Sequence, residues 1–171
     1  MKRNQAIAAY SALMGVKLNK MTEDITDAIL ADTLTLASVN EQFQKVQEEL
    51  RKRTFETIDQ KRREDYDGIV TKMKALDSQK RAALQAVIND NFEDVLKAQG
   101  SYIKALNKWL DKDVSLDLER IERKDFIKAM KDSEQDITPA TLDVISPLFK
   151  NSKAVNAEID TEEIDSLLAE E

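Results

Sequence analysis

Ile25, Ile29, Leu36, Val39, Phe43, Val46 and Leu50 recur at alternating three- and four-residue steps, and Asp32 occupies the one slot that breaks the series. So narrow an apolar stripe is a seam of coiled-coil type, not the broad face of a globular helix. Thr22 stands where a cap is wanted, with Glu23 and Asp24 in the first turn, where acids suit the positive dipole end. Taken as one helix, residues 21–67 would be roughly 70 Å long. From Ile69 the pattern repeats through Val70, Met73, Leu76, Ala83, Leu84, Val87 and Ile88. The spacing therefore predicts a mainly α fold built on a long antiparallel, coiled-coil-like helical hairpin over 21–110, turning at Asp67-Gly68.

A turn there pairs residues whose numbers sum to about 135. Leu50 should meet Leu84, Val46 should meet Ile88, and Phe43 should meet Phe92. Asn89-Asp90-Asn91 could interrupt the return arm, because short polar side chains compete with helix backbone. Gly100 is a second weak point, and Phe92, Val95, Leu96, Tyr102, Ile103, Leu106, Trp109 and Leu110 continue the arm. Trp109, the single tryptophan, is expected in the core at the hairpin base. The distal stretch 51–67 has only Phe55, Ile58 and Tyr66 among many charges, so a solvated tip is expected.

Residues 1–20 read as a short N-terminal helix that packs through Ile7, Tyr10, Leu13 and Met14, followed by a connection marked by Gly15 and Asn19. Residues 111–150 change character. Val114-Ser115-Leu116-Asp117-Leu118-Glu119 alternates strictly, the period of a short strand. A lone strand leaves backbone groups unpaired, and the best internal partner, near 154–159, is poor. Two readings stay open. Either Val114, Leu116 and Leu118 bind a partner by strand pairing, across a homo-oligomer or onto another protein's sheet edge, or the segment lies extended on the hairpin. Two small helices follow, one over 123–130 with Phe126, Ile127 and Met130, the other opening at Thr138-Pro139, a cap followed by proline at the first helical position. Pro147 should distort the end of the second.

Charge adds a tail. Residues 154–171 carry −7, while the remaining 26 acidic residues balance 26 basic ones. Within 151–171, Asp160 and Glu163 have the spacing of a capping box, and Ile159 and Ile164 that of a hydrophobic staple. With Leu167 and Leu168 they describe an acidic amphipathic helix behind a small polar linker. Such an element either docks on a partner through Ile159, Asp160, Glu163, Ile164, Leu167 and Leu168, or ends the chain as a solvated terminus.

The chemistry on offer is thin. There is no His and no Cys, which removes the commonest general base, thiolate ligands and disulfides. A di-iron bundle needs a Glu-x-x-His element that cannot exist here, and no glycine-rich phosphate loop occurs. Glu48-Glu49 begins the carboxylate pattern of helical Mg²⁺ nucleotide hydrolases, but Lys52 and Arg53 fill the turn where a third acid belongs. Glu56 and Asp59 repeat the spacing near the expected tip, away from shelter. No catalytic, cofactor or metal residues are expected.

Arg51-Lys52-Arg53 and Lys61-Arg62-Arg63 would suit phosphates, yet interleaved acids supply helical pairs such as Glu48 with Lys52 and Glu49 with Arg53. Nucleic acid is not the expected partner. No apolar run approaches the roughly 18 residues of a membrane span. Met1-Lys2-Arg3 before the apolar stretch only imitates a signal peptide.

The charged hairpin, the run over 113–121 and Asp136-Ile137-Thr138-Pro139-Ala140-Thr141-Leu142-Asp143 resemble small uncharacterised helical-hairpin proteins of tailed phages and prophages, over residues 20–150. The acidic extension departs from their layout. The resemblance implies a phage-encoded, non-enzymatic structural or assembly protein of bacterial cytoplasm or virion. Its partner would be itself or another phage or host protein. The alternative is a factor whose acidic tail modulates a host protein of defence or replication.

Overall fold

The computed structural model describes residues 1–119 and 121–149. Among them the chain is mainly helical and forms no sheet. Its helices are α1 (Arg3–Met14), α2 (Glu23–Phe55), α3 (Gln60–Met73), α4 (Ser78–Asn91), α5 (Glu93–Leu110), α6 (Arg123–Asp132) and α7 (Pro139–Ile145), with a final 3-10 turn, Ser146–Phe149. Two compact units result. One contains Met1–Lys45 and the described residues from Lys108 onward; the other is built on Val46–Asn107.

In the first unit, α1 packs on α7. Ala6 and Ala9 are fully buried and Leu13 nearly so. Of the expected face, Leu13 is buried, Ile7 and Tyr10 are half-buried and Met14 is 61% exposed, so Ala6 and Ala9 take the centre of the contact. Small side chains at three-residue spacing allow close helix approach, which the larger residues would prevent. From α2, Ile29, Asp32, Leu36 and Val39 are buried here, as Val46 and Leu50 are in the second unit, so the predicted apolar series is largely inward-facing. Phe43 does not follow the expected register. Its ring lies against Trp109, centroids 6.0 Å apart, and Phe92 instead meets Tyr66. Trp109 is core, as expected, with the Arg3 guanidinium 4.5 Å above its ring.

The second unit overturns both the turn at Asp67-Gly68 and the unbroken helix over 21–67. Gly68 sits inside α3. A mid-helix glycine costs about 1 kcal/mol, which is less than what Ile69, Val70 and Met73 gain by packing beside it on a buried cluster. The breaks fall where aspartates can cap. Asp59 accepts from the Lys61 and Arg62 N–H groups to start α3, and Asp77 from the Lys80 N–H to start α4. With α2 ending at Phe55, Ile58 turns inward to join Tyr66, Ile88, Phe92 and Val95. Within 51–67, Ile58 and Tyr66 are therefore buried in a small core, while most of the charged residues there are exposed, as expected. Asn89-Asp90-Asn91 does end a helix, and Gly100 does not.

Towards the end of the described chain, Phe126 and Met130 of α6 are buried, and Phe126 meets Phe149 edge-on at 5.9 Å. Thr138 caps α7 by accepting from the Thr141 N–H, with Pro139 first in the helix, and the helix gives way to the 3-10 turn before Pro147. Both features are as expected.

The end of α6 carries a device no glycine announces. The Glu134 N–H donates to the Lys131 carbonyl and the Gln135 N–H to the Met130 carbonyl, which is the Schellman pattern. Glu134 takes the left-handed conformation this requires, φ 57°. Glu134→Gly is expected to raise stability by about 1 kcal/mol, read as a higher denaturation midpoint. A lower midpoint would mean that the Lys20–Glu134 ion pair, 3.1 Å, outweighs the backbone strain.

Candidate functional site

The segment 114–119 is not a strand. Its alternation is real but serves an internal purpose: Val114, Leu116 and Leu118 are all buried within their own unit. Its backbone partners among the described residues are the chain's first residues, and 154–159 lie outside the described part. The Val114 N–H donates to the Met1 carbonyl at 2.8 Å, and the Arg3 N–H donates to the Lys112 carbonyl at 3.0 Å. A single antiparallel bridge joins Lys2 and Asp113. These three apolar side chains, expected to meet a partner, are thus occupied at home. The other expected partner-binding residues, Ile159, Asp160, Glu163, Ile164, Leu167 and Leu168, lie outside the described residues.

At the far end of the segment the Glu119 N–H donates to Asp32 Oδ1 at 2.6 Å. This explains the interruption in the apolar seam: the odd residue receives a backbone donor that would otherwise be stranded. Asp32 is only 1% exposed, and its Oδ2 has no hydrogen-bond partner. Burial pushes its carboxyl up to about 7; the Glu119 N–H works in the other direction, and the Glu119 charge adds to the rise. A carboxyl so placed exchanges its proton near neutrality. The sequence marks Asp32 as exceptional, but nothing in it points to a backbone donor 87 residues away.

The two basic clusters flank the α2–α3 corner. Arg53 Nε is 2.7 Å from Glu49 Oε1, the helical pair that spacing predicts. Arg62 holds Asp94 with two hydrogen bonds, Nε to Oδ2 at 2.6 Å and Nη2 to Oδ1 at 2.7 Å. Its Nη2 also donates to the Asn91 carbonyl, 2.6 Å away, and the guanidinium stands 5.1 Å from the Phe92 ring centroid. One arginine therefore clamps α3 to the junction of α4 and α5. The Arg62 hydrogen bonds hold the Asp94 carboxyl below the ordinary carboxylate range. Asp94 and the α3 cap Asp59 are thereby committed to structure.

Among the described residues, no group of three or more His, Cys, Asp or Glu is arranged to hold a metal ion. No described helix is long and apolar enough to cross a membrane. The outward-facing apolar residues include Leu30 and Leu34, one turn apart on α2, at 45% and 74% exposure. Both lie off the apolar stripe of the seam, so its spacing does not mark them. No family model, curated protein or solved structure matches the chain.

Proposed function

We propose that this is a non-enzymatic structural or assembly protein that acts through protein–protein contacts as a homo-oligomer, in the phage-encoded role its layout resembles. α2 and α5 are then the arms of the expected antiparallel hairpin, in the register set by Phe43 and Trp109. The observation that carries the reading is the exposed pair Leu30 and Leu34. Two leucines one turn apart on a charged helix form a ridge that gains by being covered. With Val114, Leu116 and Leu118 turned inward, contacts fall to helix surfaces and not to strand addition.

Light scattering on the full chain tests this. Wild type should show a mass that is a multiple of 19.4 kDa, and Leu30→Glu/Leu34→Glu should fall to the mass of one chain with unchanged helical circular dichroism. A wild-type protein already at one chain's mass contradicts the oligomer. The second reading, a modulator of a host protein, rests on the −7 of residues 154–171. On that reading, deleting 154–171 abolishes capture of the host protein; on the assembly reading the deletion leaves the oligomer intact.

A further inference from the structure

The corner that carries the basic clusters also contains a cleft of about 300 Å³, bounded by the end of α2, the first half of α3 and the middle of α5. Arg51, Gln60, Arg63 and Gln99 supply its polar lining, and Phe55, Tyr66 and Val95 its apolar wall. We propose that this cleft binds a small molecule bearing an oxyanion, phosphate or carboxylate, on an apolar body.

The argument rests on which arginines at this corner are already engaged. Arg53 and Arg62 are satisfied by Glu49 and Asp94. The guanidinium groups of Arg51 and Arg63, which line the cleft, are held by no acid among the described residues. Arg63 is half-buried, and its Nε is shielded from water with no acceptor. A guanidinium partly stripped of solvent and given no acceptor is destabilising unless an anion compensates at its outer nitrogens. Gln99 is oriented for the same task. Its Oε1 accepts from the Tyr66 hydroxyl at 3.0 Å, which leaves the amide N–H groups as donors.

The two acids on the wall do not cancel this. Glu64 accepts from Gln60 Nε2 at 2.8 Å, so part of its accepting capacity is engaged within α3. Asp67 remains, and it favours a ligand that also carries a hydroxyl or amino donor. Phe55 and the Tyr66 ring then favour an apolar or planar body over a bare ion. The volume sits at the small end of ligand pockets, enough for one ring and its anionic group.

Heteronuclear NMR on the full-length protein tests the proposal, with inorganic phosphate, phenyl phosphate and benzoate added separately. Saturable shifts are expected at the Arg63 Nε–H and the Gln99 side-chain amide. A ring-bearing anion should bind roughly tenfold more tightly than inorganic phosphate. The phenyl phosphate and benzoate arms decide between the two oxyanions. Arg63→Gln and the exposed Arg51→Gln should each weaken saturation strongly without lowering the thermal midpoint. Should Arg63→Gln unfold the protein, Arg51→Gln alone decides. Three results would overturn the proposal: no saturable shift with any probe, shifts that persist unchanged in Arg51→Gln, or displacement of phenyl phosphate by an oligonucleotide with steep salt dependence, which would assign the arginines to nucleic acid.

Discussion

Replacing Asp32 by Asn is expected to stabilise the protein at pH 8 by about 2 kcal/mol and to remove most of its stability slope between pH 4 and 7. The buried carboxyl sits near 7 in the folded chain against an ordinary value of 3.8, so the folded state binds the proton more tightly than the unfolded one. Below pH 4 both states are protonated and Asp32 is no burden. As pH rises towards 7 the unfolded chain releases its proton first, stability falls, and above 7 the loss levels off. At 1.36 kcal/mol per unit the full effect is about 4 kcal/mol. Asn keeps an acceptor for the Glu119 N–H but adds amide hydrogens in a buried place, and this offsets part of the gain by about 1–3 kcal/mol. Asp77 and Asp94 act in the opposite sense and in a lower window. The Lys80 N–H and Arg62 hold them below the ordinary value, so their contributions vanish only as pH falls below about 4. Urea midpoints from pH 4 to 8 separate the two windows. A wild-type curve that rises from pH 5 to 7, or an Asn variant that parallels it, would show that Asp32 titrates normally.

Trp109→Ala should be the most damaging single change, with a loss of about 3–5 kcal/mol. The indole is 1% exposed, faces the Phe43 ring and lies beneath the Arg3 guanidinium. Its removal therefore opens a cavity between α2 and the end of α5 and strips a cation from its aromatic face. Trp109→Phe keeps the ring contact and should lose markedly less. Denaturation followed by helical circular dichroism measures both; equal losses would mean that the phenyl ring recovers none of the indole's contacts. As the single tryptophan, it also reports the wild-type transition through its fluorescence.

The mainly helical character was legible because periodicity is a local property. Ile29, Leu36, Val39 and Trp109 could be placed in the core from spacing alone, and Thr138-Pro139 from cap chemistry. What failed was the choice among competing breaks. Asp67-Gly68 looks like a turn, yet Gly68 is carried through by the packing around it. Asp59 and Asp77, which do cap helices, were hidden among other acids. The register failed with the turn, since moving the break moves every partner. Around 114–119 the alternation leaves two readings open, a strand awaiting a partner and an extended segment, and burial of Val114, Leu116 and Leu118 favours the second. Burial on one face produces the same pattern in a strand and in an extended segment laid over helices, and the Met1 carbonyl and Asp32 that secure it are remote in sequence. The Schellman end at Glu134 was invisible because a glutamate holds a glycine's position.

The proposed assembly role depends on that segment being held within its own chain, which leaves the helix faces to make contacts. Amide hydrogen exchange at Val114 and Glu119 in the isolated protein tests this most directly. Both donate in the fold, to the Met1 carbonyl and to Asp32 Oδ1, so both should exchange slowly with no partner present. Rapid exchange at both, slowing only when another protein is added, would return 114–119 to the role of a strand awaiting its sheet.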